Sequence, residues 1–304
     1  MENLEDVCAR LCLLTRACWV PELPSPLSRP EARRMLQSGM LQSLVLREMP
    51  QEDLALPERV RALLSRALSV ARLAETYEQR GYRVLLPQER GWPAALDGLG
   101  AKAPLFLFAR GNVALLEGRR VAVAGSRDIL PQTAAEAQQL GRSLAGAGIV
   151  LVTGGARGVD RAAEQGALEA GGGVILVPAM PAEELLRDGV SRCAMEEGRL
   201  LMLCDTLPDD PFSAQKALSR NHTIYALGDA AVVVAARNGV GGSWRGATDC
   251  LSGGWSPVYA SATSGADREG NAALLRRGAL PLDMDRPVVP QLRLFREIRL
   301  FDPG

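Results

Sequence analysis

Between Arg119 and Ser261 the chain alternates continuous apolar runs with stretches of helical spacing. The runs "RRVAVAGS", "IVLVTGG", "GVILVPA", "RLLMLC", "AAVVVAA" and "SPVYAS" do not alternate apolar with polar residues, as strands facing solvent on one side would. They read as strands buried on both faces. Between them, "PQTAAEAQQLGRSLAGAG", "GVDRAAEQGALEAGG", "PAEELLRDGVSRCAMEEG", "PFSAQKALSRNHTIYALG" and the shorter "GGSWRGATDCLSGG" read as helices. This order predicts right-handed βαβ units in an α/β fold: a doubly wound, mostly parallel, Rossmann-like sheet. "SPVYAS" is expected to be its last strand.

The chain before this region has a different texture. "PEARRMLQSGMLQSLVLREM" follows Ser28 and Arg29 with a proline at the first helical position, and "LPERVRALLSRALSVARLAETYEQRG" carries Leu and Val at helical spacing up to a C-cap glycine, Gly81. "YRVLL" and "LFLFA" read as short strands. The expected organisation is a small helical N-terminal domain over 1–83, the α/β domain over 84–285 and a short tail over 286–304.

Several classes are disfavoured. No apolar stretch approaches the roughly 18 residues of a membrane span. The start, "MENLEDVCARLCLLTRACWV", is acidic before it is apolar and makes a poor signal peptide. A cytoplasmic protein with no membrane partner is expected. None of the six cysteines forms a CxxC pair and His222 is the single histidine, so no metal site is expected. Cys8 and Cys12, four residues apart, read as one apolar helix face. His222 reads as a structural or hydrogen-bonding residue. The net charge is zero, so any nucleic-acid site must be a local patch rather than a basic surface. Lys102 and Lys216 are the only lysines among the basic residues. Arginine suits bidentate phosphate contact, although genome composition alone also produces such a skew.

In a doubly wound sheet, ligands bind beyond the carboxyl ends of the strands, so the corners after the strands carry the functional signal. The first corner holds Gly125, Ser126 and Arg127. The second holds Gly154, Gly155, Arg157 and Gly158. Glycines admit a close backbone or ligand, arginine adds charge, and a helix start offers amide donors. Each corner taken alone is also an ordinary tight turn. Arg220 and Asn221 form a polar pair on a later helix, and Gly241, Gly242, Ser243, Trp244 and Arg245 open another. Trp244 reads either as a platform for a base or as core. Asp160 reads as a cap of its helix. There is no GxGxxG, no P-loop, no GxSxG and no HExxH, so no cofactor and no catalytic residue is assigned. Asp160, Glu164 and Asp249 are potential acids or bases that nothing in the sequence pairs.

The motifs, taken in order, resemble the DNA-processing protein DprA (Smf) family. "RGWPAALDGLGAKAPLFLFARGNVALLEGRRVAVAGSR" is similar to that family's lead-in to a "VGSR" strand, and "VTGGARGVDRAAEQGAL" to its "SGLARGID..AH.GAL" segment. "SRNHTIYALGDAAVVVAA", "GGSWRGATDCL" and "GADREGNAALLRRGALPL" resemble three further motifs, and the resemblance covers roughly residues 84–283. It departs from the pattern at "PAMPAEELLRDGV", at Glu164 where the family has histidine, at the Arg220-Asn221-His222 run and at "GGSWRGA", which point to a divergent branch. No complete winged-helix domain is expected after the sheet. The resemblance implies a non-enzymatic, homodimeric protein that binds single-stranded DNA and helps load the RecA recombinase in natural transformation. Carried over, Gly125, Ser126, Arg127, Gly154, Gly155, Arg157 and Gly158 would hold phosphate, with Arg220, Asn221, Gly242 and Ser243 bracing and closing the pocket. Three alternatives stay open: a nucleotide-binding sensor of related fold, of the kind used in phage defence; a nucleotide-cleaving enzyme; and a chain that has lost binding and keeps the fold as a scaffold. Against the second, "GVGGSWRGATD" lacks the glutamate of the phosphoribohydrolase motif "PGG.GT..E".

Overall fold

The computed structural model describes residues 4–37, 57–263 and 265–294. The run "PEARRMLQSGMLQSLVLREM" beyond Gln37 and the tail from residue 295 lie outside the described residues. The chain divides into two compact units, one built from Met1–Trp92, Pro104–Arg110 and Asp205–Leu207, the other from Pro93–Ala103, Gly111–Cys204 and Pro208–Gly304.

The first unit carries helices α1 (Leu4–Leu14), α2 (Arg29–Gln37), α3 (Glu58–Leu64) and α4 (Ala67–Gln79), followed by β1 (Tyr82–Leu85), which pairs antiparallel with β2 (Leu107–Gly111). Ala9, Leu13, Leu27, Ala32, Val60, Leu63 and Leu105 form its apolar centre. Cys8 and Cys12 are buried on α1. Glu31 accepts hydrogen bonds from the Ser28 amide and hydroxyl, both at 2.7 Å, and so fixes the start of α2. The helical pattern that runs unbroken to Gly81 in the sequence is divided at Ser65 and Arg66. Arg66 turns inward to donate to the carbonyls of Cys12, Thr15 and Ala17, so the end of α1 obtains donors that its own helix cannot supply. A tertiary requirement overrides the local propensity there.

The second unit holds β3 (Arg120–Ala124), α5 (Pro131–Gly146), β4 (Val150–Thr153), α6 (Val159–Glu169), β5 (Val174–Leu176), α7 (Gly189–Glu196), β6 (Leu200–Cys204), α8 (Ala214–Leu227), β7 (Ala230–Val233), α9 (Gly241–Gly253), β8 (Val258–Ser261), α10 (Glu269–Arg276) and β9 (Leu280–Leu282). Its strands lie in the order β6-β5-β4-β3-β7-β8-β9 and all pair in parallel. This is the doubly wound α/β sheet that the apolar runs predict. Residues of β3 to β8 are buried throughout, as helices on both faces require.

Two details differ from expectation. "SPVYAS" is not the last strand: α10 and β9 follow it, with Tyr259 opposite Leu280. A three-residue edge strand that contains a proline carries almost no sequence signal. The stretch "PAEELLRDGVSRCAMEEG" is a 3₁₀ turn over Ala182–Leu186 and then α7, because the Asp188 carboxylate caps the Ser191 amide at 2.8 Å and restarts the helix. Among the described residues, no helix is long and apolar enough to cross a membrane.

From β3 the chain winds outward through β4, β5 and β6, then returns to place β7 on the other side of β3. The corners after β3 and β7 therefore diverge to opposite faces, and a crevice opens between them at the carboxyl ends of the strands.

Candidate functional site

A cavity of about 490 Å³ occupies this switch point. Gly125, Ser126, Arg127 and Asp128 from the corner after β3 line it, together with Asp160, Phe212, Arg220, Asn221, Arg237, Gly242, Ser243 and Arg245. A second, open concavity adjoins it, lined among others by Gly155, Arg157, Gly158 and Arg161 and sharing Arg127, Asp128 and Arg237 with the first. The candidate residues are thus distributed over two neighbouring hollows. Gly154 lines neither.

The glycines of the corners serve the protein's own packing. A Cβ on Gly125 would fall 2.3 Å from a Val159 methyl, and one on Gly158, which has φ of +89°, would fall 2.3 Å from the Ser126 carbonyl oxygen. The corners after β3 and β4 are pressed together, and the Val159 amide donates to Ser126 O at 3.2 Å. The Ser126 amide donates to Ala235 O at 2.8 Å, which ties the first corner to the chain beyond β7. A Cβ on Gly154 would lie 1.1 Å from Nη1 of Arg220. Gly155 faces Leu185, and Gly242 faces the Asn221 amide.

Arg220 is buried, 5% exposed, and donates to Val177 O at 3.0 Å. Its Nη1 lies 3.9 Å from the Asp160 carboxylate. Asp160 does not cap its own helix start, where Gly158 is the N-cap residue. Instead its carboxylate receives the amides of Ala156, Gly154 and Gly125, so one buried group holds two corners. Burial pushes its carboxyl above the ordinary range, while Arg220 and those amides pull it back.

The start of α9 is open. Its N-cap residue, Val240, has no side chain to accept an amide, and Gly241, Gly242 and Ser243 form the first turn. The Ser243 hydroxyl donates to Gly125 O at 2.6 Å, which binds this turn to the first corner. An uncapped helix start of this kind is receptive to anions. Exposed arginines surround it. The Arg127 guanidinium lies 5.0 Å over the ring of Phe212, itself 46% exposed. Arg127 and Arg245 have no ion-pair partner among the described residues.

The aromatic at the site is Phe212. Trp244 is 7% exposed, packed inside with Arg277 over its ring at 5.4 Å. Of the potential acids and bases, each is paired with a cation. Glu164 is fully buried and accepts from Arg161 at 2.6 Å and from the Ser191 hydroxyl at 2.9 Å, and burial raises its pKa. Asp249 lies 2.7 Å from His222 Nε2 and 3.4 Å from Lys102. Among the described residues, no cluster of His, Cys, Asp or Glu could hold a metal.

Three site residues escaped the sequence reading. Arg237 directly follows the apolar run "AAVVVAA" and occupies a corner by the same rule as Arg127, so it was accessible. Phe212 and Asp128 carried no signal. A further element was seen as a motif without a role: in "GADREGNAALLRRGALPL" the Gly270 amide donates to Ala236 O at 2.8 Å, and the Asn271 side chain donates to Val234 O at 3.0 Å and Ser261 O at 3.1 Å. Asp267 accepts the Leu130 amide at 3.1 Å, and Arg268 reaches Ser261 at 3.1 Å and Thr133 at 2.8 Å. This strap fixes the loop that carries Arg237 and the segment that follows Arg127 and Asp128.

Fold and site together define a Rossmann-like α/β protein whose switch-point crevice presents exposed arginines beside an uncapped helix start. Residues 83–291 match the model of the family described as DNA recombination-mediator protein A, and the chain belongs to that family, DprA. It is 32% identical over 223 residues to a candidate DNA processing protein DprA of Mycobacterium tuberculosis, a match covering 67% of this chain and 56% of that protein. A stretch of 75 residues is 41% identical to DNA processing protein DprA of Streptococcus pneumoniae, covering 25% of this chain and 26% of that one. The chain thus spans about half or less of the length of the curated relatives it matches. The crystal structure of the S. pneumoniae protein superposes with a TM-score of 0.73 at 22% identity, covering 97% of this chain and 99% of that one, and shows the shared fold. DNA processing protein A from Helicobacter pylori, solved for its single-stranded DNA binding mode, matches with a TM-score of 0.56 at 25% identity over 67% of this chain and 92% of its own.

Proposed function

We propose that this chain binds single-stranded DNA by its phosphates in the switch-point crevice. The observation that carries this reading is the pair of exposed arginines, Arg127 and Arg245, which have no ion-pair partner among the described residues and stand beside the uncapped start of α9 in a cavity of about 490 Å³. The amides of the first turn supply donors, the arginines supply charge, and Phe212 offers a face on which a base can stack. Such contacts are independent of sequence and weaken with salt. The DNA-binding mode described for the H. pylori relative supports the reading. The proposed role is to hold the strand intact. The family further points to a homodimer that hands the strand to a RecA-type recombinase during DNA uptake and transformation.

The test is titration of a fluorescent oligothymidylate against the wild-type chain and the Arg127→Ala/Arg245→Ala double variant across a salt series. The double variant is expected to bind more weakly and to lower the slope of log K against log salt by about 0.7 for each phosphate it no longer neutralises. Absence of any binding by the wild type at low salt would sink the proposal. The cavity also falls within the roughly 300–1,000 Å³ typical of small-ligand sites. A large thermal shift with a mononucleotide, and none with an oligonucleotide, would therefore favour the nucleotide-sensor reading.

A further inference from the structure

The two hollows are separated by a ridge made of Arg127, Asp128 and Arg237, which line both. On this ridge the Asp128 carboxylate is shared. Its Oδ1 lies 2.5 Å from Nη2 of Arg157, and its Oδ2 lies 3.5 Å from Nη2 of Arg237. The three residues come from three corners, after β4, β3 and β7, and β3 lies between the other two strands in the sheet. Two guanidinium groups from either side thus converge on one anion at the centre of the crevice.

All three side chains are largely exposed, Asp128 at 61%, Arg157 at 77% and Arg237 at 59%. Exposed pairs of this kind contribute little and exchange readily with water and other ions. A phosphodiester matches the carboxylate in the relevant respects: one negative charge, spread over two oxygens, each able to take one guanidinium.

We propose that Asp128 is an internal stand-in for phosphate, and that a DNA strand lying across the ridge displaces it and takes over Arg157 and Arg237. This rests on the reading of the crevice as a single-strand site and adds a path and a selectivity to it. The strand runs from the inner cavity, over the ridge, into the outer concavity. Asp128 weakens every ligand that needs the ridge, because its carboxylate must first be moved aside. A ligand held by Arg127 and Arg245 within the inner cavity leaves the Asp128 pairs with Arg157 and Arg237 in place. The residue therefore tunes affinity according to how much backbone the ligand presents.

The experiment compares wild type, Asp128→Asn and Asp128→Asn/Arg157→Ala, using the full chain and thymidine oligomers from the dinucleotide to a dodecamer at two salt concentrations. Asp128→Asn is expected to tighten the dodecamer by roughly three- to tenfold, the size of effect that freeing an exposed ion pair or two can have. It is expected to leave the dinucleotide unchanged, and the gain is expected to disappear when Arg157 is also removed. Equal tightening at all lengths, no change, or weaker binding of the dodecamer by Asp128→Asn would overturn the proposal while the crevice reading stands. If neither wild type nor Asp128→Asn binds any oligomer at low salt, the crevice reading fails and this proposal fails with it. Because Asp128 is exposed, thermal melting of the variants is expected to match wild type, so a loss of binding cannot be assigned to unfolding.

Discussion

Replacing Arg220 by alanine is expected to destabilise the chain by about 3–5 kcal/mol, the usual cost of removing one partner from a buried charge pair. The guanidinium is 5% exposed, lies 3.9 Å from Asp160 and donates to Val177 O. Without it the Asp160 carboxylate keeps its three amide donors but loses its only nearby cation among the described residues. The deficit is also expected to depend on pH. Burial already raises the Asp160 pKa in the folded state, and removal of Arg220 raises it further. A group with a raised folded pKa binds its proton more tightly when folded, so stability is retained at acid pH and lost as pH rises through that pKa. The gap between Arg220→Ala and wild type should therefore be narrower near pH 4 than at pH 7. Chemical denaturation across that range measures it, and a gap that is constant or widest at acid pH would remove Asp160 from the explanation.

Gly154→Ala is expected to cost nearly as much, for a reason invisible at Gly154 itself. Its φ is not in the left-handed region, so the backbone accepts alanine there. The new Cβ would lie 1.1 Å from Arg220 Nη1 and 2.1 Å from its Cζ, and the guanidinium would have to leave its place. It would abandon Asp160 and Val177 O, so the loss approaches that of Arg220→Ala, about 3–5 kcal/mol. The two substitutions should therefore be strongly non-additive. In the Arg220→Ala background, Gly154→Ala should be close to neutral. Additive losses in a double-mutant cycle would mean that Gly154 acts through something other than Arg220.

The parallel sheet was legible because strands buried on both faces leave unbroken apolar runs, and the crevice was legible because glycine and arginine gather where those runs end. What the sequence did not reveal depended on distant partners. The helix break at Arg66 is set by carbonyls at the end of α1, more than 45 residues away in the chain. The short edge strand Leu280–Leu282 forms because β8 offers it a partner, not because of its own pattern. Nor could composition separate Arg220, sealed beneath the site, from Arg127 and Arg245, which stand open at it. The sequence reads the corner glycines as room for a close backbone or ligand. At Gly125, Gly154 and Gly158, however, what approaches is Val159, Arg220 and the Ser126 carbonyl.

That division of labour bears on how kindred sequences should be interpreted. A descendant that abandoned its ligand would still be compelled to keep glycine at 125 and 158, since the corners could not close otherwise, and at 154 for as long as Arg220 stays in place, whereas the arginines at 127 and 245 would be free to drift. The glycine signature therefore certifies the architecture, and the retained outward-facing cations are the better witness to whether a given homologue still holds anything.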